Sequence, residues 1–441
     1  MSALSIRHLA GAALVLVLAA GGTLLGWLAW PARPIAVGHV PTTPADAATI
    51  ARGRYLAQLG NCQACHTPRG GAPFAGGLGI ATPYGTVYGS NLTPSAAGLG
   101  AWSADDFWRA LHHGQSRDGR WLNPAFPYAN TTHVSRPDSD ALFAYLRSLP
   151  PDPTPAPAHA VRWPYNTQLA LAAWRLLYFK PGDVPAEAPV APAPGETAAA
   201  VRRGAYLVNG LAHCSACHAP RGALGGSRDP LSLAGGLIPG HHWYAPSLLD
   251  PADGGVQDWA TQDIVDLFQS GRGGDAIVTG PMADVVQHGT QHWAAADLEA
   301  LALYLKQLPR PTAAQRTRSA SPSGASLDRG RALYDRHCAD CHGDQGQGRA
   351  GADGRWAYVP LAGNRSVGQA SPANLIQAVL AGGFGPSTGR HPQPYGMPPF
   401  VLRFNDAELA DLLSFIRYSW GNQAPPVTEL EVRQLRGPIG P

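Results

Sequence analysis

The sequence predicts an all-α protein made of three tandem helical modules behind an N-terminal apolar segment. Three observations predict it. A five-residue pattern, Cys-x-x-Cys-His, occurs three times, at Cys62–His66, Cys214–His218 and Cys338–His342, and uses all six cysteines of the chain. Each copy follows an Arg-Gly step on a short helical segment, Arg52-Gly53, Arg203-Gly204 and Arg329-Gly330. Each module then closes on an amphipathic stretch with apolar residues at i, i+3, i+4 and i+7. A chain of 441 residues is too long for one ordinary domain and suits two to four.

The elements follow in order. Residues 1–36 form a membrane anchor or signal peptide. Leu9 to Trp30 is a run of 22 apolar or small residues broken only by Thr23, about 33 Å as a helix and enough for a bilayer core. A cleaved signal peptide has a shorter apolar region and a small-residue site, for which Ala19-Ala20-Gly21 would serve. Trp27 and Trp30 suit the far interface of a retained anchor. Either reading exports the remainder, which in a bacterial cell is the periplasmic side of the inner membrane.

The first module spans 45–150 and ends on Leu142, Tyr145, Leu146 and Leu149, stopped by Pro150. A Pro-rich linker, 151–195, encloses an apolar stretch, Leu169 to Phe179, suited to packing on a neighbouring module or to a membrane surface. The second module, 196–309, ends on Leu301, Tyr304, Leu305 and Leu308 before Pro309. A connector rich in Arg, Ser, Thr and Ala covers 310–325. The third module, 326–421, ends on Leu412, Phe415 and Ile416, and 422–441 is a C-terminal tail. Each closing stripe is expected to pack on the helix before its own Cys-x-x-Cys-His.

Composition narrows the chemistry. Charged residues are 14% of the chain and the net charge is +3, well below the usual charged share of about 25%. This argues against a nucleic-acid partner. Six cysteines are too few for a disulfide scaffold, so their placement matters more than their number.

Cys-x-x-Cys-His is the attachment pattern of c-type haem. Two thiols two residues apart each form a thioether to one vinyl group of the same porphyrin, and the adjacent histidine reaches the iron as proximal ligand. Zinc would need a second pair nearby, whereas these pairs lie more than a hundred residues apart. A thioredoxin-like motif would need a βαβ context that the surrounding text lacks. Three covalent haem c groups follow, on Cys62/Cys65, Cys214/Cys217 and Cys338/Cys341, with His66, His218 and His342 on the irons.

The distal ligands are sought among few candidates. Methionine occurs only at positions 1, 282 and 397. Met282, in Gly280-Pro281-Met282, and Met397, in Gly396-Met397-Pro398, each precede the closing helix of their module. A thioether opposite histidine raises the reduction potential and closes the iron to small molecules, as electron transfer requires. The first module has no methionine. His133 stands where its ligand loop should be, with His112 and His113 as alternatives and an open iron as the remaining one.

These motifs, together with Gly76-Gly77-Leu78, Thr82-Pro83-Tyr84-Gly85-Thr86, Pro124 to Tyr128, Gly280 to Val286, Pro360 to Asn364 and Ser419-Trp420-Gly421-Asn422, resemble the triheme cytochrome c subunit of bacterial membrane-bound dehydrogenases. That family serves alcohol, gluconate, sorbitol, fructose and aldehyde dehydrogenases. The resemblance runs from the first haem motif almost to the end. It implies three class I cytochrome c domains in tandem, with Met282 and Met397 as distal ligands. It also implies a catalytic dehydrogenase subunit of flavin, quinoprotein or molybdenum type as electron donor, and ubiquinone or a terminal oxidase as acceptor. Many relatives carry a methionine near Phe126 or Val134, where this chain departs.

The residues themselves favour a relay over a substrate-oxidising enzyme. No Gly-x-Gly-x-x-Gly follows a strand, and no P-loop or triad signature is present. Two other readings stay open: a haem enzyme or sensor that uses an open first haem, and a cytochrome c subunit of a terminal oxidase.

Overall fold

A computed structural model describes residues 45–183, 197–311 and 321–436 except 275, 353, 355, 393 and 395, and before them residues 15, 19, 21–23, 26 and 34–36. The apolar run Leu9–Trp30 lies mostly outside the described residues, as do 184–196 and 312–320 of the two linkers. Among the described residues no helix is long and apolar enough to cross a membrane.

Helices dominate, with strands confined to short hairpins. The first third contains α1 (Ala47–Leu59), α2 (Cys62–His66), α3 (Ala104–His113), α4 (Tyr128–Thr131) and α5 (Arg136–Arg147). A hairpin of β1 (Gly79–Thr82) and β2 (Gly85–Tyr88) is extended by β3 (Ala160–Val161), and α6 (Gln168–Tyr178) follows. The middle third holds α7 (Thr197–Tyr206), α8 (Ser215–His218), α9 (Thr261–Ser270), α10 (Pro281–His288) and α11 (Ala295–Lys306). The last third holds α12 (Gly324–His337), α13 (Ala339–His342), α14 (Arg365–Gly368), α15 (Ala373–Ala381), α16 (Asp406–Tyr418) and α17 (Glu429–Arg436).

The Arg-Gly step explains how each third closes. At Gly53 the closing helix α5 passes so near that an added Cβ would stand 1.9 Å from the Ala141 carbonyl oxygen and 2.7 Å from the Tyr145 Cβ. At Gly204 on α7 the same two contacts come from Ala300 and Tyr304 of α11, and at Gly330 on α12 from Asp411 and Phe415 of α16. Only glycine lets the two backbones meet this closely. Beside each glycine, arginine pairs with an aspartate of the closing helix: Arg52 with Asp138, Arg203 with Asp297, Arg329 with Asp411. The expected packing of each closing stripe on its pre-motif helix is therefore what the structure contains. Leu142, Leu146, Leu301, Leu305, Leu412 and Phe415 are all buried at these crossings.

Three helix pairs do not make three cores. Leu56, Leu59, Leu142 and Leu146 of the first pair share one continuous apolar cluster with Tyr206, Leu207, Leu211, Leu298 and Leu301 of the second. The third pair has its own cluster around Tyr334, Ile376, Leu409, Leu412 and Leu413.

Parts of the 151–195 linker and of the C-terminal tail are built into the fold. Residues 152–154 are held by the Asn91 side-chain amide, which donates to the carbonyls of Asp152 and Thr154 at 2.9 Å each. Of the α6 residues only Ala172 is fully buried, while Leu176 and Leu177 face solvent. Arg175 on α6 stacks its guanidinium over Trp121, Phe179 and Tyr128 at 4.1, 4.5 and 5.3 Å. The C-terminal tail becomes α17, because Val432 and Leu435 give it an apolar side that docks on the third core. Thr428 accepts from the Glu431 backbone N–H and donates to its carboxylate, capping the helix start.

Candidate functional sites at three Cys-x-x-Cys-His motifs

Each motif forms one turn of helix at the end of a pre-motif helix, α2 after α1, α8 after α7, α13 after α12. The residue before the first two motifs, Asn61 and His213, has φ of 45° and 41°. This left-handed step breaks the long helix and redirects the motif turn; asparagine and histidine tolerate it better than most residues.

The three histidines share one arrangement. Nδ1 of His66 lies 2.7 Å from the Ser90 carbonyl, Nδ1 of His218 2.7 Å from that of Pro246, and Nδ1 of His342 3.0 Å from that of Val359. A carbonyl only accepts, so Nδ1 carries the proton and Nε2 keeps a free lone pair. That is the tautomer an iron ligand needs, held by the kind of outer partner that orients metal-bound histidines. Burial pushes all three imidazoles below their ordinary pKa, the carbonyl bond partly opposing it. They stay neutral, as ligation requires. Burial also raises the thiols of Cys62, Cys214 and Cys338 to about 12.

The third site shows the most complete cleft. A cavity of about 1030 Å³ is lined by Cys338, Cys341 and His342 and also by Met397, a volume at the upper end for small-molecule and cofactor sites. Met397 is held on a two-residue strand, β5 (Gly396–Met397), that pairs with β4 (Gly383–Phe384). Gly382, at φ 62°, admits this strand: an added Cβ would lie 2.3 Å from the Met397 carbonyl oxygen. The chemistry of two thiols, a free imidazole nitrogen and a thioether around one apolar cavity fits a covalently attached haem. The second third contributes to the same cavity through Trp243 and Trp259. Arg365 ties the two parts together by donating to the carbonyls of Pro251 and Gly255.

Met282 sits in the first turn of α10, in a small apolar cluster with Leu267, Val278 and Val286. In the first third, His133 comes two residues before the N-cap of α5, as His292 comes two before the N-cap of α11. Thr131 and Thr290 mark the same register, each donating its hydroxyl to the carbonyl at the equivalent turn, Leu111 and Phe268. His133 is thus the counterpart of His292, which stands ten residues after Met282 rather than in its place. Its imidazole lies against Gly182, where an added Cβ would come within 2.2 Å. His112 stacks on Trp108 at 4.8 Å and faces the Thr132 carbonyl through Nδ1 at 2.8 Å.

Comparison with known proteins agrees with this chemistry. The cytochrome c family profile matches residues 201–309 and 327–420. The cytochrome c subunit of alcohol dehydrogenase (quinone) from Gluconobacter oxydans is 37% identical over 418 residues, 91% of this chain and 85% of that protein. The chain belongs to the family of dehydrogenase cytochrome c subunits. The gluconate 2-dehydrogenase cytochrome c subunit of Pantoea cypripedii is 37% identical over 89% of this chain and 90% of its own length. The fructose dehydrogenase cytochrome subunit of Gluconobacter japonicus is 31% identical over 98% and 90%. Family membership carries covalently bound haem c and electron transfer with it.

Sequence reasoning missed the residues that join the first two thirds. Tyr55, Asn130 and Tyr206 carry no motif of their own. Their signal is only the recurrence of tyrosine three positions after Arg52 and Arg203.

Proposed function

We propose that this protein is a membrane-associated periplasmic cytochrome c with three haem groups, which takes electrons from a catalytic dehydrogenase subunit and delivers them to ubiquinone or a terminal oxidase. The observation that carries the reading is the threefold recurrence of Cys-x-x-Cys-His with its histidine Nδ1 donating to a backbone carbonyl. Bound haem supplies reversible one-electron exchange at iron. The chain's residues do the rest. Cys62/Cys65, Cys214/Cys217 and Cys338/Cys341 would tether the porphyrins, and His66, His218, His342, Met282 and Met397 would hold the irons. Three domains, bounded near residues 45–150, 196–309 and 326–421, carry one haem each. His133 is the proposed distal ligand of the first haem, with an open iron as the competing state.

The N-terminal run Leu9–Trp30 anchors the chain to the inner membrane from the periplasmic side. The partner oxidises the substrate, and the names of the relatives suggest an alcohol, sugar or sugar-acid donor. The test is purification of the intact chain from membranes with haem quantified per chain and the co-purifying subunit identified. Three haems and a dehydrogenase are expected; two haems, or an oxidase core as sole companion, would refute the proposal.

A further inference from the structure

The first and second helix pairs exchange equivalent hydrogen bonds. Tyr55 on α1 donates its hydroxyl to Asp297 Oδ2 on α11 at 2.7 Å and accepts the Ala294 backbone N–H at 2.9 Å. Tyr206 on α7 donates to Asp138 Oδ2 on α5 at 2.7 Å and accepts the Ser135 backbone N–H at 3.1 Å. Tyr55 follows Arg52 by three residues and Tyr206 follows Arg203 by three. Asp138 and Asp297 are the partners of those arginines, and Ser135 and Ala294 are the N-caps of the two closing helices. Every participant has its counterpart in the other half, so the contact is a pseudo-twofold one.

The pattern is specific to these two thirds. The position three residues after Arg329 is Ala332, and the third pair keeps a separate core. Both carboxylates are fully buried, at 0% and 2% exposure. Each has room for a tyrosine donor besides its arginine. Burial and the adjacent carboxylate raise both phenols above their ordinary pKa, which keeps them protonated and able to donate.

The same face brings the haem motifs together. His213, immediately before Cys214, faces the Gly60 carbonyl through Nε2 at 3.2 Å. Asn61, immediately before Cys62, packs on Gly289, where an added Cβ would lie 3.4 Å from it. Asn130 donates to the Asn209 carbonyl at 3.0 Å and to Ser215 Oγ, inside the second motif, at 2.8 Å.

We propose that Tyr55 and Tyr206 are reciprocal latches that hold the first two haem-bearing modules as one pseudo-symmetric unit, and that electron exchange between their haems depends on these two hydroxyls. They are positioning residues, since neither touches a haem-binding cysteine or histidine in the contacts above. The exchange clause rests on the proposed function, in which both motifs carry haem; the latch clause does not.

The experiment uses the full, haem-loaded chain with a specific protease site introduced among residues 184–196. After cleavage the two parts should co-elute from a sizing column in the wild type. A hydrogen bond to a buried carboxylate shifts an equilibrium by about tenfold or more, so Tyr55→Phe and Tyr206→Phe should each weaken the association about tenfold. The double variant should weaken it about a hundredfold and release the first part. In the uncut chain, electron equilibration between the first two haems after rapid photoreduction should slow in the same order. Tyr304→Phe, which loses the bond from Asn209 within one module, is the control and should leave both readouts at wild-type values.

Separation of the cut wild type, or a double variant that holds together as tightly as the wild type, overturns the latch. If the double variant fails to fold, Tyr55→Phe alone decides the question, because Tyr55 is only half-buried. A haem count below three refutes the relay reading while co-elution still reports on the latch.

Discussion

Replacing Gly204 with alanine sets two effects of opposite sign against each other. Helix propensity alone favours alanine by about 1 kcal/mol. The crossing opposes it: the new Cβ would stand 2.1 Å from the Ala300 carbonyl oxygen and 2.7 Å from the Tyr304 Cβ. Carbon–oxygen contacts of this kind settle near 3.3–3.6 Å, so α7 and α11 must part by about 1.2–1.5 Å. Overpacking of a tight interior costs about 1–3 kcal/mol. Here the obstacle is backbone that cannot rotate away, which puts the cost at the upper end. The net expectation is a loss of about 2 kcal/mol.

The assay is urea unfolding followed by far-UV circular dichroism on haem-loaded protein. Midpoints are compared directly, because a chain with more than one core need not unfold in one step. Gly53→Ala and Gly330→Ala, at 1.9 and 2.3 Å from Ala141 and Asp411 oxygens, should move the same way. Gly324→Ala, on α12 with nothing within 4 Å of the added Cβ, is the control and should be neutral or slightly stabilising. A Gly204→Ala variant more stable than wild type would refute the reading of the Arg-Gly step as a helix-crossing device.

Further outcomes follow from the same geometry. Asp297→Ala removes the buried carboxylate that pairs with Arg203, whose side chain is 8% exposed, and should cost about 3–5 kcal/mol in thermal or chemical unfolding. Asp411→Ala faces Arg329, which is 62% exposed, and should cost several-fold less because water replaces the lost partner. If His133 holds the first haem's iron as proposed, His133→Ala should convert that haem to a high-spin form whose ferrous state binds carbon monoxide. An unchanged spectrum and no gas binding would eliminate His133 as ligand. His113 is held down to about 4 by burial first, then by His112 and Arg175. Its pKa is thus lower folded than unfolded, so the unfolded state binds more protons between about pH 4 and 6.5. Stability should fall as pH drops through that window, and His113→Gln should flatten the fall in melting temperature between pH 7 and pH 5. A variant with the full wild-type slope would assign the acid sensitivity elsewhere.

The Cys-x-x-Cys-His turns were legible because they are local. Cysteine, cysteine and histidine within five residues make a complete chemical statement, and the structure adds only the carbonyls of Ser90, Pro246 and Val359 that set the tautomer. The closing stripes were legible for a related reason, since 3.6-residue periodicity encodes the buried face. What sequence did not show is non-local. Tyr55 meets Asp297 across 242 positions and Asn130 meets Ser215 across 85, and no spacing rule links such pairs. The helix inside the 422–441 tail is not legible in the sequence because α17 is short; eight residues are marginal alone, and docking of Val432 and Leu435 on the third core secures them.

The differences among the repeats decide the architecture more than their similarities do. From the arginine of the Arg-Gly step to the first motif cysteine the chain counts ten residues in the first third, eleven in the second and nine in the third. One residue added to an α-helix turns everything after it by about 100°. The second third absorbs its extra residue in a π-helical turn, Leu207–Leu211, directly after Tyr206. The approaches to the first two motifs meet, His213 Nε2 facing the Gly60 carbonyl at 3.2 Å. The third has no such turn. Its α12 runs on to His337 and passes straight into the motif turn at Ala339. With Ala332 where the other two have tyrosine, it has no hydroxyl at that position to donate to a partner carboxylate. It closes a core of its own and meets the second third through Arg365 and the wall of the Met397 cavity.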